Sequence, residues 1–170
     1  MAQVQTASAE QESYWQEFNQ LKLDAIYVRD YRDSYAKWET RIATIRAITS
    51  SASIGAWAIW HQLAIVWATL IALSQVVDAL RDVFPFQKKK RTLSAWTNAL
   101  NRLFVDAQRD WDTISSGNCT DSKVSKLTHQ LRQKMQRYEQ TYIPDGLPRK
   151  EELFEAAQKE MVTFFQTRYP

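Results

Sequence analysis

Apolar residues recur along most of this chain at intervals of three and four, the repeat of a helix with one buried side. After a short polar tail, in which Ser8 or Ser13 is placed to cap a helix, the series opens with Trp15, Phe18 and Leu21. Tyr27, Tyr31, Tyr35, Trp38, Ile42 and Ile45 continue it on one face, while Arg29, Asp33, Lys37 and Arg41 fall largely on the others. This pattern predicts a helix over residues 8–46, with nothing that clearly stops it there. A second stripe, Leu93, Trp96, Leu100, Leu103, Phe104, Ala107, Trp111 and Ile114, is the cleanest amphipathic signal in the chain. It predicts a helix over 92–115, restarted at Thr92 or Ser94, with the aromatic face of residues 14–45 as its partner.

The remainder, 123–170, reads as a helical pair. "SSGNCTDS" (115–122) is a loop by composition, and Val124, Leu127, Leu131, Met135, Tyr138 and Tyr142 share one side of the helix after it. "IPDGLP" ends that helix, with Asp145-Gly146 supplying turn geometry between two prolines. The last helix presents Leu153, Phe154, Ala157, Met161, Phe164 and Phe165, with Pro148 before it and Glu151 and Glu152 at the positive end of its dipole.

One segment breaks the amphipathic rule. "AITSSASIGAWAIWHQLAIVWATLIALSQVV", from Ala47 to Val77, contains no Asp, Glu, Lys or Arg. A helix apolar all round is buried in a large protein or spans a bilayer, and a domain this small has little protein to surround it. As one helix its 31 residues reach about 46 Å, beyond a hydrocarbon core of about 30 Å. Split near Trp60-His61-Gln62, it gives two arms of about 22 Å each, which span if Arg46, Arg81 and Lys88 snorkel or the bilayer thins. Arg29, Arg32, Lys37, Arg41 and Arg46 precede the run, and Arg81, Lys88, Lys89, Lys90 and Arg91 follow it. Equal basic flanks fit a hairpin with both ends in the cytoplasm better than a single span, and Trp57, Trp60 and Trp67 suit interface anchors. The expectation is an apolar helical hairpin over 47–83. A soluble hairpin that forms the core or a dimer interface is the alternative.

Within that hairpin, Thr49 and Ser53 lie one turn apart on an arm rich in small residues, the composition of a close helix contact or of a water-facing wall. Ser74, Gln75 and Asp78 end the second arm, and an ionisable group near the end of a span is a candidate gate. Pro85 disfavours helical geometry at Phe84, so a kink is expected there. The cluster Lys88, Lys89, Lys90 and Arg91 follows, a candidate contact for anionic lipid with nucleic acid as the lesser reading.

The totals change little in this picture. In 170 residues there are only three glycines and four prolines, which favours long helices, and nothing alternates with period two. The fold class expected is therefore all-α: one domain of long helices with a central apolar hairpin and a cytosolic bundle. A net charge of +3 suits an anionic surface without requiring one. The single Cys119 precludes an internal disulfide, and the first residues lack the pattern of a secretory signal. Histidine occurs only at 61 and 129, and no phosphate-loop, nucleophile-elbow or metal-ligand motif is present, so no enzyme activity, cofactor or metal is expected.

The order of parts resembles the SLATT proteins, small two-span bacterial effectors linked to nucleotide-signalling immunity. The likeness rests on "YRDSYAKWETRIATIRAITSSASIGAWAIW", "LAIVWATLIALSQVVDALRDVF" and "SAWTNALNRLFVDAQRDWDTI", and covers roughly residues 25–115. It implies a homo-oligomer at the bacterial inner membrane, both termini cytoplasmic, whose spans form a membrane-disrupting pore in antiphage defence. A sensor protein or second messenger would trigger it, and the family brings no catalytic residues.

Overall fold

A computed structural model describes residues 8–55 and 86–169, with the isolated positions 69 and 72; residues 45, 46, 48–55, 86 and 87 are described by their backbone alone. Among the described residues the chain is all-α, with four helices: α1 (Ala9–Gly55), α2 (Phe86–Ser115), α3 (Asp121–Tyr142) and α4 (Glu151–Arg168). They divide between two units, one from Met1–Tyr31 and Thr92–Pro170, the other from Arg32–Arg91.

Ser8 starts α1 with a reciprocal cap. Its Oγ accepts the Gln11 N–H at 3.3 Å, and its own N–H donates to Gln11 Oε1 at 3.2 Å. The helix then runs 47 residues and continues past 46 without a break, so the Ser-rich start of the charge-free run is helical as far as Gly55. α2 begins at Phe86, earlier than the expected start at 92, and carries Lys88–Arg91 in its first turns. Gly117 ends α2 at φ +76, donating its N–H to the Ile114 carbonyl. Gly146, at φ +74, closes the predicted turn between α3 and α4 by donating to the Ile143 carbonyl at 2.9 Å.

In the first unit, α1 is surrounded. Tyr14, Phe18, Leu21, Ala25 and Val28 are buried at alternating intervals of four and three, with Leu23 and Ile26 buried on a second side. α2 lies antiparallel to α1: Gln11 reaches Ile114, the Tyr14 hydroxyl donates to the buried Ala107 carbonyl at 3.0 Å, and Phe18 stacks on Phe104. All of the predicted α2 stripe is buried except Trp111, which is half-buried and stacks on Tyr14. α4 closes another side, where Ala157, Phe154 and Met161 pack against Leu23, Ile26 and Tyr27. Trp15 meets Phe165 and Tyr169 edge to face and Phe18 at a tilt, each such pair worth about 1 kcal/mol beyond burial.

Two expectations need correction. The aromatic series on α1 is buried only as far as Tyr31; Trp38 is 57% exposed, with the Arg41 guanidinium 5.7 Å from its ring. α3 and α4 belong to the first unit, whereas α1 from Arg32 onward belongs to the second. The predicted α3 stripe is also only partly core. Val124 and Leu131 are buried together with Thr128, while Leu127, Met135, Tyr138 and Tyr142 are half-buried. The opening left along the second half of α3 is the candidate site.

Candidate functional site: an acidic cleft against α1

A cleft of about 370 Å³ lies in the first unit, walled by Glu17, Asp24, Tyr27 and Val28 of α1 and by Trp96 and Leu100 of α2. Arg132, Met135, Gln136 and Glu139 of α3 complete it, with Ile143 and Leu147 from the following connection. Its α1 residues recur at seven, three and one, so they share a side of the helix; Tyr27 there belongs to the expected apolar series. The buried residues of α3 lie in its first half, and Arg132 at its middle reaches Glu17 on that side. Tyr27 holds the connection in place: its hydroxyl donates to the Pro148 carbonyl at 3.5 Å and accepts the Lys150 N–H at 3.0 Å.

The charges here are unbalanced. Arg132 donates from Nε and Nη2 to the same Glu17 oxygen, at 3.0 and 2.5 Å. Asp24 accepts from Gln20 Nε2 at 2.8 Å and has no cationic partner among the described residues. Burial pushes its carboxyl up to about 6, against an ordinary 3.8; the Gln20 hydrogen bond opposes this, while Glu139 and Glu17 add to it. Trp96 is 8% exposed, and its indole N–H has no hydrogen-bond partner among the described residues. Elsewhere in the unit, burial lowers the Lys22 ammonium, which sits 4.0 Å from the Phe164 ring and 4.5 Å from Phe104. Among the described residues no group of three or more His, Cys, Asp or Glu is placed to hold a metal ion.

None of the site residues expected from sequence is among those that line this cleft. Thr49 and Ser53 are on the last turns of α1, known from the backbone alone. Ser74, Gln75, Asp78, Trp57, Trp60 and Trp67 fall outside the described residues. Lys88, Lys89 and Arg91 are exposed on α2, and Lys90 is ion-paired with Glu39 of α1 at 2.9 Å. The predicted hairpin itself lies mostly outside the described residues, and among those described no helix is long and apolar enough to cross a membrane.

Asp24 and Trp96 were legible only in part. Trp96 belongs to the α2 stripe, but its unpaired N–H requires coordinates. Asp24 reads as a surface carboxylate because part of its cover comes from α2 and α3, far from it in sequence. Compared with protein-family models, with curated proteins and with solved structures, the chain matches none.

Proposed function

We propose that this protein is an oligomeric membrane effector: a helical unit that holds a charge-free hairpin and uses it to permeabilise the bacterial inner membrane, in antiphage defence. The observation that carries this reading is the antiparallel pairing of α1 and α2. α1 enters the charge-free run and α2 leaves it, so a hairpin between them has both ends on one side, as equal basic flanks require. The helical backbone of α1 as far as Gly55 supports a helical first arm. Exposed Lys88, Lys89 and Arg91 beside the run suit anionic headgroups, each contributing about 1 kcal/mol near such a surface. Polar Thr49, Ser53, Ser74, Gln75 and Asp78 are the candidates for helix contact or a water-lined path, and the trigger is a sensor protein or second messenger.

Dye release from liposomes containing anionic lipid tests this reading. Purified full-length protein is expected to release the dye, and Ser53→Leu or Asp78→Leu to abolish release while leaving membrane association intact. Membrane association without release would leave an anchor with no pore. The second reading, a soluble helical interaction protein with the apolar hairpin as its core or dimer interface, is favoured by the small, Ser-rich first arm. It predicts no lipid association at all.

A further inference from the structure

Charge is divided unevenly along this chain. The second unit, Arg32–Arg91, contains nine Lys and Arg against four Asp and Glu, whereas the rest contains thirteen against fifteen. The whole positive excess therefore belongs to the unit that contains the charge-free run. The described acids of that unit are already engaged: Asp33 pairs with Arg32 at 2.7 Å, and Glu39 with Lys90 at 2.9 Å. Lys37 and Arg41 on α1, and Lys89 and Arg91 on α2, are exposed and form no ion pair among the described residues. The Glu39–Lys90 contact sets these two groups level with each other across the helix pair.

Trp38 stands in the same surface. It is 57% exposed, and the Arg41 guanidinium lies 5.7 Å from its ring centre. Tryptophan is enriched where a bilayer meets water, because its ring is apolar at one end and polar at the other. Lysine and arginine beside it gain from anionic lipid at the same level.

We propose that this side of the second unit, Trp38 with Lys37, Arg41, Lys89 and Arg91, seats on the headgroups of anionic lipid beside the hairpin. The inference rests on the membrane location proposed above, but not on a pore. A second copy of the same surface would set like charge against like charge, which disfavours it as the occupant. Lipid is favoured over nucleic acid by continuity, since α1 runs from Trp38 into the charge-free run as unbroken helix. Trp38 precedes Ala47 by nine residues, about 14 Å of helix, while the headgroup layer is about 6 Å deep. Contact therefore requires α1 to enter tilted, with Trp38 facing the membrane, within the range of up to about 40° that spanning helices show.

Nitroxide quenching reads this contact in full-length protein reconstituted into vesicles. The difference in fluorescence between the parent and Trp38→Phe isolates Trp38 from the other tryptophans. Headgroup-labelled nitroxide lipid is expected to quench that difference signal in vesicles containing phosphatidylglycerol. Quenching should be much weaker in phosphatidylcholine alone, or in about 1 M salt, where the screening length falls to about 3 Å. Combining Lys37→Gln, Arg41→Gln, Lys89→Gln and Arg91→Gln should abolish the dependence on phosphatidylglycerol. All four side chains are exposed and outside the described ion pairs, so the fold has little to lose. In the Trp38→Phe protein, acyl-chain-labelled lipid and the remaining tryptophans report insertion of the hairpin separately. Insertion with Trp38 untouched by the headgroup label, equal quenching in neutral vesicles, or an unchanged response in the quadruple variant would overturn the proposal and leave the membrane reading standing. Absence of both signals would overturn both. Quenching of Trp38 by a single-stranded oligonucleotide and not by lipid would overturn it in favour of nucleic acid.

Discussion

Asp24 shows how far a single side chain departs from what its neighbours in sequence imply. It lies between Leu23 and Ala25, both buried, yet lines a cleft whose other walls come from α2, α3 and the connection after α3. In the unfolded chain its carboxyl loses a proton near 3.8, and in the folded protein near 6. The folded state therefore holds the proton more tightly, so the stability linked to Asp24 is complete below about pH 4 and lost as pH rises through about 6. Asp24→Asn stays neutral throughout and keeps an acceptor for Gln20. It is expected to exceed the parent in stability by about 2 kcal/mol above pH 7, the gap closing below pH 4. Urea unfolding of both proteins across that range checks this, and a pH-independent gap would contradict it. Reading the sequence also favoured Trp15 over Tyr14 as the core residue. Tyr14, Phe18, Leu21, Ala25 and Val28 form the regular stripe, which a preference for the larger ring obscured.

Elements were more legible than residues, because caps and turns are written locally. Ser8 and Gln11 stand at the capping-box spacing, and the structure forms both bonds. Ser8→Ala should cost about 1 kcal/mol. At the far end of α2, Gly117 has open space around its missing side chain, so Gly117→Ala tests backbone conformation alone and should cost about 1 kcal/mol. Gly117→Asn should lose less, since asparagine tolerates positive φ. Thermal unfolding of the three variants measures these losses; equal values for the two Gly117 variants would count against a left-handed cap. The α2 stripe was readable almost residue by residue, since one amphipathic side meets one partner. α1 was not, because in the first unit it meets partners on several sides and its periodicity blurs. That α1 continues past residue 46 follows from the lack of any stop signal there, whereas the start of α2 at Phe86 precedes the restart expected at Thr92 or Ser94.

At the scale of the whole molecule, two features with different physics share one chain. The first unit is held by aromatic packing and by cross-helix ion pairs such as Arg29–Glu160, which are exposed enough to contribute less than about 1 kcal/mol each. The charge-free run, which begins in the last turns of α1, has the composition for a bilayer and marginal length for it. The hairpin reading was available from sequence because charge is counted without coordinates; the cleft was not, because its walls come from three helices. Membrane fractionation tests the central claim most directly. Full-length protein expressed in bacteria is predicted to sediment with membranes, resist an alkaline carbonate wash and be released only by detergent. Recovery in the soluble fraction without detergent would contradict the membrane account and leave the apolar run as a core or dimer interface.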